Sequence, residues 1–257
     1  MKKTFILRFK PNTVDSFAIL RNIAYIYKSL GEAKREYLSA VQIEGAVGSG
    51  DRMIAEITAD NLQDFLELIN ALPAINRTNV RAYDVRGLLL KTYAFSLPPN
   101  GFKGVALRKL LPKLVKGVIV VDSALTGDTV SSLKNYAKNK QMAQSLLPLS
   151  PVSRKVNAIA FNTASAQTNV LTLVNGSDKE ARVRLSLYPK IANVDMGQYF
   201  NAPFIMKPFT IVKINLNALV GGNAKGQAFI GADQPNVVYA QVVRTSLEDL
   251  TVKYAAR

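Results

Sequence analysis

Residues 168–187 read TNVLTLVNGSDKEARVRLSL, and this stretch decides the fold of the C-terminal part of the chain. Ala181, Val183, Leu185 and Leu187 alternate with polar residues, which is the pattern of a strand with one face in a core and the other in water. The Asn-Gly-Ser-Asp sequence at 175–178 supplies the preceding turn. About seven or eight such short strands between turn signals are typical of an antiparallel β-sandwich, which we predict for residues 156–257.

The stretch 168–181 also resembles the repeating β-sandwich modules of bacterial surface proteins. These modules share an apolar strand, an Asn-x-Ser-Asp turn and a second apolar strand. The resemblance implies a structural or adhesive role, and similar sandwiches also build viral shells and filaments.

Residues 1–97 are predicted to form a ferredoxin-like βαββαβ domain. Phe5, Leu7 and Phe9 alternate with polar residues, whereas Leu62 and Leu66 belong to an apolar stripe at helical spacing. The predicted strands are 3–10, 41–47, 52–58, 79–85 and 88–95, and the predicted helices are 14–30 and the segment from Asp60 to Pro73. Residues 61–75 with the strand at 79–85 resemble the second half of small ferredoxin-like modules, such as the ligand-sensing domains of some bacterial regulators. That resemblance implies dimerisation through sheet edges or faces.

The segment 98–155 differs in composition from both of its neighbours. Pro98-Pro99-Asn100-Gly101 marks a boundary, and residues 101–155 carry ten Lys or Arg against two Asp or Glu. A short strand is predicted at 117–121 and a helix at 129–144. The predicted class is therefore α+β, with a ferredoxin-like domain at 1–97, a basic mixed connector or arm at 98–155 and an antiparallel β-sandwich at 156–257.

The formal net charge of the 257 residues is +15, and the middle segment holds the largest share of it. Clustered Lys and Arg favour an anionic partner such as nucleic acid or an acidic protein surface. The candidate residues for such binding are Lys103, Arg108, Lys109, Lys113, Lys116, Lys134, Lys138 and Lys140. An arm that docks on a neighbouring subunit and a plain internal structural element are the alternatives for the same segment.

The chain has no cysteine and no histidine. This composition excludes disulfides, thiolate or histidine metal sites, cysteine nucleophiles and Ser-His-Asp catalysis. We therefore expect no enzyme, no catalytic residues, no metal and no cofactor.

One local pattern suggests a different function. At 118–129 an apolar strand is followed by Asp122 and then by Thr-Gly-Asp-Thr, which is similar to the phosphoribosyl-diphosphate loop of phosphoribosyltransferases. That resemblance implies phosphate binding at Thr126, Gly127 and Thr129, with Asp122 near the ribose. The alternative is an ordinary capped helix.

The N-terminus carries no recognisable signal peptide, and no stretch approaches the ~20 apolar residues of a membrane span. A cytoplasmic or virion location is expected. The leading hypothesis is a structural, self-assembling homo-oligomer: a subunit of a virion, a filament or another scaffold. A nucleic-acid-associated protein and a phosphoribosyl-type enzyme are the alternatives.

Overall fold

The structure is a computed structural model, and it describes most of the chain from Asn22 onward. The described residues are 22–29, 35–43, 52–57, 62–70, 72–111, 116–124, 129–137, 143–148, 150–151, 156–163, 167–234, 237–246 and 251–255. The predicted strand at 3–10 lies outside them.

The described residues are almost entirely β-strands. The elements before residue 152 are β1 Asn22–Ser29, β2 Arg35–Ile43, β3 Arg52–Ile57, β4 Leu62–Asn70, β5 Asn76–Asp84, β6 Leu89–Leu97, β7 Phe102–Ala106, α1 Leu107–Leu110, β8 Gly117–Ser123, β9 Thr129–Ala137, β10 Ala143–Pro148 and β11 Ser150–Pro151. The later elements are β12 Val156–Asn162, β13 Gln167–Asn175, β14 Ala181–Ile191, β15 Val194–Asp195, β16 Phe200–Met206, β17 Ile211–Asn215, α2 Leu216–Val220, β18 Ala224–Ala232, β19 Val238–Ser246 and β20 Thr251–Ala255.

These strands form four larger sheets, and every described pairing is antiparallel. Sheet 1 has the order β10-β9-β4-β7, and sheet 2 has the order β11-β3-β8-β5-β6. Sheet 3 has the order β17-β13-β19-β20, and sheet 4 has the order β12-β18-β14, with β15 and β16 both paired to β14. The strands β1 and β2 form a separate hairpin.

Three apolar clusters place the four sheets in a stack. Leu66 and Leu68 of sheet 1 share a core with Met53, Val80 and Ile119 of sheet 2. The strands of sheets 3 and 4 share a second, larger core. A third cluster joins the opposite face of sheet 2 to the outer face of sheet 3. The stack therefore runs from sheet 1 to sheet 4, with an N-terminal unit (sheets 1 and 2) and a C-terminal unit (sheets 3 and 4).

The two units have the same topology. In chain order, β3, β4, β5, β6, β7, α1, β8, β9 and β10 correspond to β12, β13, β14, β16, β17, α2, β18, β19 and β20. The register is shared as well: Leu66 pairs with Leu133 as Leu171 pairs with Val242. The C-terminal unit is therefore a structural repeat of the N-terminal unit.

Two asparagines mark equivalent corners of the repeats. The Asn70 side-chain amide donates to the carbonyls of Ala74, Leu97 and Pro98. Asn175 donates in the same way to the carbonyls of Lys179, Met206 and Lys207. Both side chains are fully buried, so each one satisfies backbone acceptors that would otherwise lack partners. The same local chemistry thus closes the same turn twice.

The α+β prediction with a ferredoxin-like domain is wrong. A ferredoxin-like module needs two helices, whereas β4 occupies the second predicted helix, and β1 occupies the described part of the helix predicted at 14–30. Leu66 and Leu68, two residues apart, are both buried in the core, and burial at every second residue is the spacing of a strand. Short apolar runs fit both periods, and tertiary packing decides between them.

The basic mixed connector of that fold class also differs from the observed architecture. Strands β7 and β9 pair with β4, and β8 lies between β3 and β5, so this segment completes both N-terminal sheets. The helix predicted at 129–144 is replaced by β9 and the start of β10. The C-terminal part agrees with the prediction: it is mostly β-sheet and compatible with a β-sandwich.

Candidate functional site

The contact between sheets 2 and 3 joins the two units through buried apolar and polar side chains. Its apolar part combines Ile54, Val118 and Val120 of sheet 2 with Val174 and Tyr239 of sheet 3, all of them buried. These side chains lie on the strand faces that point away from each unit's own core. Each unit therefore has a core of its own and a second apolar face for a partner.

Aromatic rings extend this contact at the ends of the strands. The rings of Tyr83 and Phe209 stack with centroids 4.1 Å apart, and the Arg81 guanidinium lies 5.7 Å from the Phe209 centroid. Burial raises the pKa of Tyr83, and the positive charges of Arg81 and Arg52 oppose that rise in part. The folded protein therefore favours the neutral phenol at this position.

A buried carboxylate lies inside the same contact. Glu56 of β3 is 2% exposed, and it forms an ion pair with Lys213 of β17. The Gln241 side-chain amide donates to the Glu56 carboxylate at 3.2 Å, and the Tyr239 hydroxyl donates to the Gln241 side-chain oxygen at 2.8 Å. Because a buried charge is tolerated only with partners, this network fixes how the two units face each other.

Asp122 forms a second polar group at the edge of the contact. It pairs with Arg52 at 2.7 Å and with Arg81. Arg52 also donates to the Gly176 carbonyl at 3.2 Å, which connects sheet 2 to the turn after β13. The Asp122 carboxylate therefore has two positively charged partners at the contact between the units.

The counterpart of this sheet-2 surface in the C-terminal unit is exposed. On the outer face of sheet 4, Tyr188 and Phe229 pack edge to face with centroids 5.4 Å apart. Ala160 is exposed beside them, and Tyr188 is 38% exposed. The described part of the chain places no other sheet on this face. The surface that corresponds to the one covered by sheet 3 is thus open in the second unit. It combines Tyr188, Phe229 and Ala160 with exposed polar and basic side chains, namely Gln227, Arg184, Lys190 and Lys225.

Of the predicted anion-binding residues, the three whose side chains the structure describes do not gather at the contact between the units. Lys103, Lys109 and Lys116 are exposed, on β7, on α1 and just before β8. The Lys103 ammonium lies 6.0 Å from the centroid of the Phe95 ring. Arg108 is in α1 and Lys134 in β9, but neither side chain is described. Lys113, Lys138 and Lys140 lie outside the described residues.

The predicted phosphate loop is described only at its ends. Asp122 is in β8 and makes the two ion pairs given above, whereas Thr129 is the first residue of β9. Thr126 and Gly127 lie outside the described residues. Because a strand follows Thr129, the helix N-terminus that would hold the phosphate is not formed there.

Comparison with known protein sequences does not assign a function to this contact. No protein-family model matches the chain, and no curated protein matches its sequence. Among the residues that the structure describes, no group of three His, Cys, Asp or Glu side chains could hold a metal ion. Within those residues, too, no helix is long and apolar enough to cross a membrane.

Glu56 and Gln241 were not identified as contact residues from the sequence. A signal was present in the duplicated motif Leu-x-Leu-x-Asn at 66–70 and 171–175. Aligning these two stretches would have revealed the repeat. It would not have shown which faces meet, because that depends on how the units pack.

Proposed function

We propose that the protein is a structural, self-assembling subunit. The observation that carries this proposal is the face-to-face contact between its two repeated units, with an open counterpart of the same surface on sheet 4. A protein that already stacks sheet faces within one chain has the surface chemistry to stack them between chains. Aromatic side chains that lie together on an open sheet face, as Tyr188 and Phe229 do, are typical of an interaction site.

The test is the mass of the purified protein as a function of concentration, by light scattering and sedimentation at low and high salt. Negative-stain microscopy would reveal the form of any particles. We expect mass to rise with concentration and to persist at high salt, because the contact between sheets 2 and 3 that serves as the pattern has an apolar centre. A monomer at every concentration in both salts would exclude self-assembly.

A second candidate function is binding to the phosphate backbone of nucleic acid. It is favoured by the exposure of Lys103, Lys109 and Lys116 in a basic chain. The test is binding of random-sequence DNA and RNA over a series of salt concentrations. The variant Lys103→Gln/Lys109→Gln should lower the salt slope by about two phosphate contacts, whereas the control Lys190→Gln/Lys207→Gln should leave it unchanged. Equal slopes for all three proteins would exclude this site.

A further inference from the structure

The contact within the chain provides a pattern for a contact between chains. Sheet 2 meets sheet 3 through its outer face, and sheet 4 is the counterpart of sheet 2 in the second unit. Sheet 1 is likewise the counterpart of sheet 3. Sheets 4 and 1 are the two ends of the stack, so each chain presents at its ends the counterparts of the two faces that meet in its middle.

We infer that the partner for the outer face of sheet 4 is the outer face of sheet 1 in a second copy of this chain. This inference rests on the proposed function and names its contact. The chains would then stack head to tail, and each junction would repeat the arrangement of the sheet 2 to sheet 3 contact.

The buried ion pair provides the most specific support. Glu56 pairs across strands with Val118, and the counterpart pair in sheet 4 is Ala160 with Gln227. In sheet 3, Lys213 pairs with Thr172, and the counterpart pair in sheet 1 is Gly104 with Glu67. The acid and its base are therefore both replaced, by Ala160 and Gly104. A junction of sheets 4 and 1 in the same geometry therefore buries neither the acid nor the base of this pair. The carboxylate beside Gly104 is Glu67, which has a partner within its own chain.

The apolar positions are retained on the sheet-1 side. Ile69 and Phe102 pair with each other and are the counterparts of Val174 and Ile211, which contact sheet 2 within the chain. Phe102 is 38% exposed. The carboxylate of this face, Glu67, has an interaction within its own chain and is not an unpaired charge.

The apolar positions of sheet 4 match this face. Phe229 is the counterpart of Val120, and Tyr188 is the counterpart of Tyr83. Gly231 takes the position of Asp122, so the second carboxylate of the sheet-2 face is absent as well. The rows that hold Phe229 and Tyr188 thus carry no charge, and they are flanked by the exposed basic residues of this face, Arg184, Lys190 and Lys225. Covering these two rows costs less desolvation free energy than burying a carboxylate.

A contact between two different faces has a defined consequence for the assembly. Because sheet 4 meets sheet 1 rather than a second sheet 4, the contact is heterologous, and each added chain leaves one new face open. Growth then continues as a filament or closes as a ring. A two-fold dimer is not the product of this contact.

The experiment uses two arginine variants of the full chain at exposed positions, one for each face. Ala160→Arg places a charge on the sheet-4 face, and Phe102→Arg places one on the sheet-1 face; both positions are on edge strands, β12 and β7. The matched control is Ala94→Arg, an exposed alanine on the outer face of sheet 2 in edge strand β6. Thermal melting of each variant checks that the fold is retained.

We expect each variant alone to be monomeric, and the control to assemble like the wild type. An equimolar mixture of Ala160→Arg and Phe102→Arg should form a heterodimer of twice the monomer mass. In that mixture one intact sheet 4 meets one intact sheet 1, and both remaining ends are blocked.

The outcomes separate the inference from the proposed function. If the wild type assembles and either variant alone still assembles, the inference is wrong while self-assembly stands. Assembly by Phe102→Arg but not by Ala160→Arg would indicate a sheet-4 to sheet-4 contact instead. A wild type that stays monomeric contradicts both.

Discussion

At the scale of single residues, Glu56 has the most demanding environment among the described carboxylates. It is 2% exposed and depends on Lys213 and Gln241. Removing one partner of a fully buried pair costs about 3–5 kcal/mol. Because the Lys213 side chain is 49% exposed, we expect Lys213→Met to lower the free energy of unfolding by less, about 1–3 kcal/mol. The shift of the urea midpoint measures this loss.

A double-mutant cycle separates the ion pair from packing. Adding Glu56→Gln to Lys213→Met removes the unpaired charge, so the double variant should be more stable than Lys213→Met alone. The same change at exposed Lys190, also in a strand, serves as the control and should be nearly neutral. Additive effects of the two substitutions would show that Glu56 and Lys213 are not coupled.

The raised pKa of Tyr83 predicts that the folded protein loses stability at alkaline pH. Burial raises its pKa in the folded state, so the folded protein keeps the phenolic proton at a pH where the unfolded chain has lost it. The stability contributed by the neutral phenol is therefore complete below about pH 10 and declines as the pH rises through and above that value. We expect Tyr83→Phe to lose less stability than the wild type on going from about pH 8 to about pH 11.

Urea unfolding at a series of pH values compares the two proteins. The matched control is Tyr188→Phe, the same change at the exposed counterpart in the second unit, where the hydroxyl does not enter a buried contact. Parallel pH profiles for wild type and Tyr83→Phe would contradict the prediction.

At the scale of elements, β18 contains two glycines that differ in the space around them. Gly226 lies opposite Pro189, and a Cβ at this position would clash with the Tyr188 carbonyl oxygen. Gly117 of β8 has the same relation to the Tyr83 carbonyl. The close approach of the strands therefore requires glycine at equivalent places in both repeats.

We expect Gly226→Ala to destabilise the protein by about 1–3 kcal/mol, because the backbone of β14 must shift. The control in the same strand is Gly231→Ala, where a Cβ meets nothing within 4 Å. That change should be neutral or stabilise by up to about 1 kcal/mol, because alanine loses less conformational entropy than glycine on folding. Equal melting temperatures for the two variants would show that the close approach is not a constraint.

The strands also differ in whether their own sequence pattern is enough to predict them. The sequence predicts strand β14 because Ala181, Val183, Leu185 and Leu187 alternate with polar residues, a pattern that only a strand can bury on one side. In β4 the sequence LQDFLELIN places apolar residues at both helical and strand spacings. The pairing of β4 between β7 and β9 decided its structure, and these partners lie far away in the sequence.

At the scale of the whole molecule, the contact between sheets 2 and 3 should couple the unfolding of the two units. Each unit has its own core, and the side chains between sheets 2 and 3 form a third cluster through which the unfolding of one unit can affect the other. We expect one transition for the wild type in calorimetry and two for Val120→Lys, because a buried charge separates sheet 2 from sheet 3.

The control is Phe229→Lys, the same kind of change at the counterpart of Val120 on the open face of sheet 4. It should leave a single transition. Two transitions in the wild type would show that the units are independent despite their contact.

By itself, the sequence determined the β-rich C-terminal half, several strands and turns of the N-terminal half, and the absence of cysteine and histidine chemistry. These features follow from local alternation, from turn residues and from composition, which need no knowledge of distant contacts. Only the tertiary structure decided that β4 and β9 are strands, that the two units repeat each other, and that Glu56 meets Lys213. The physical reason is that sheet pairing and face-to-face packing join residues far apart in the chain, and the burial that selects between a helix and a strand exists only once those partners are in place.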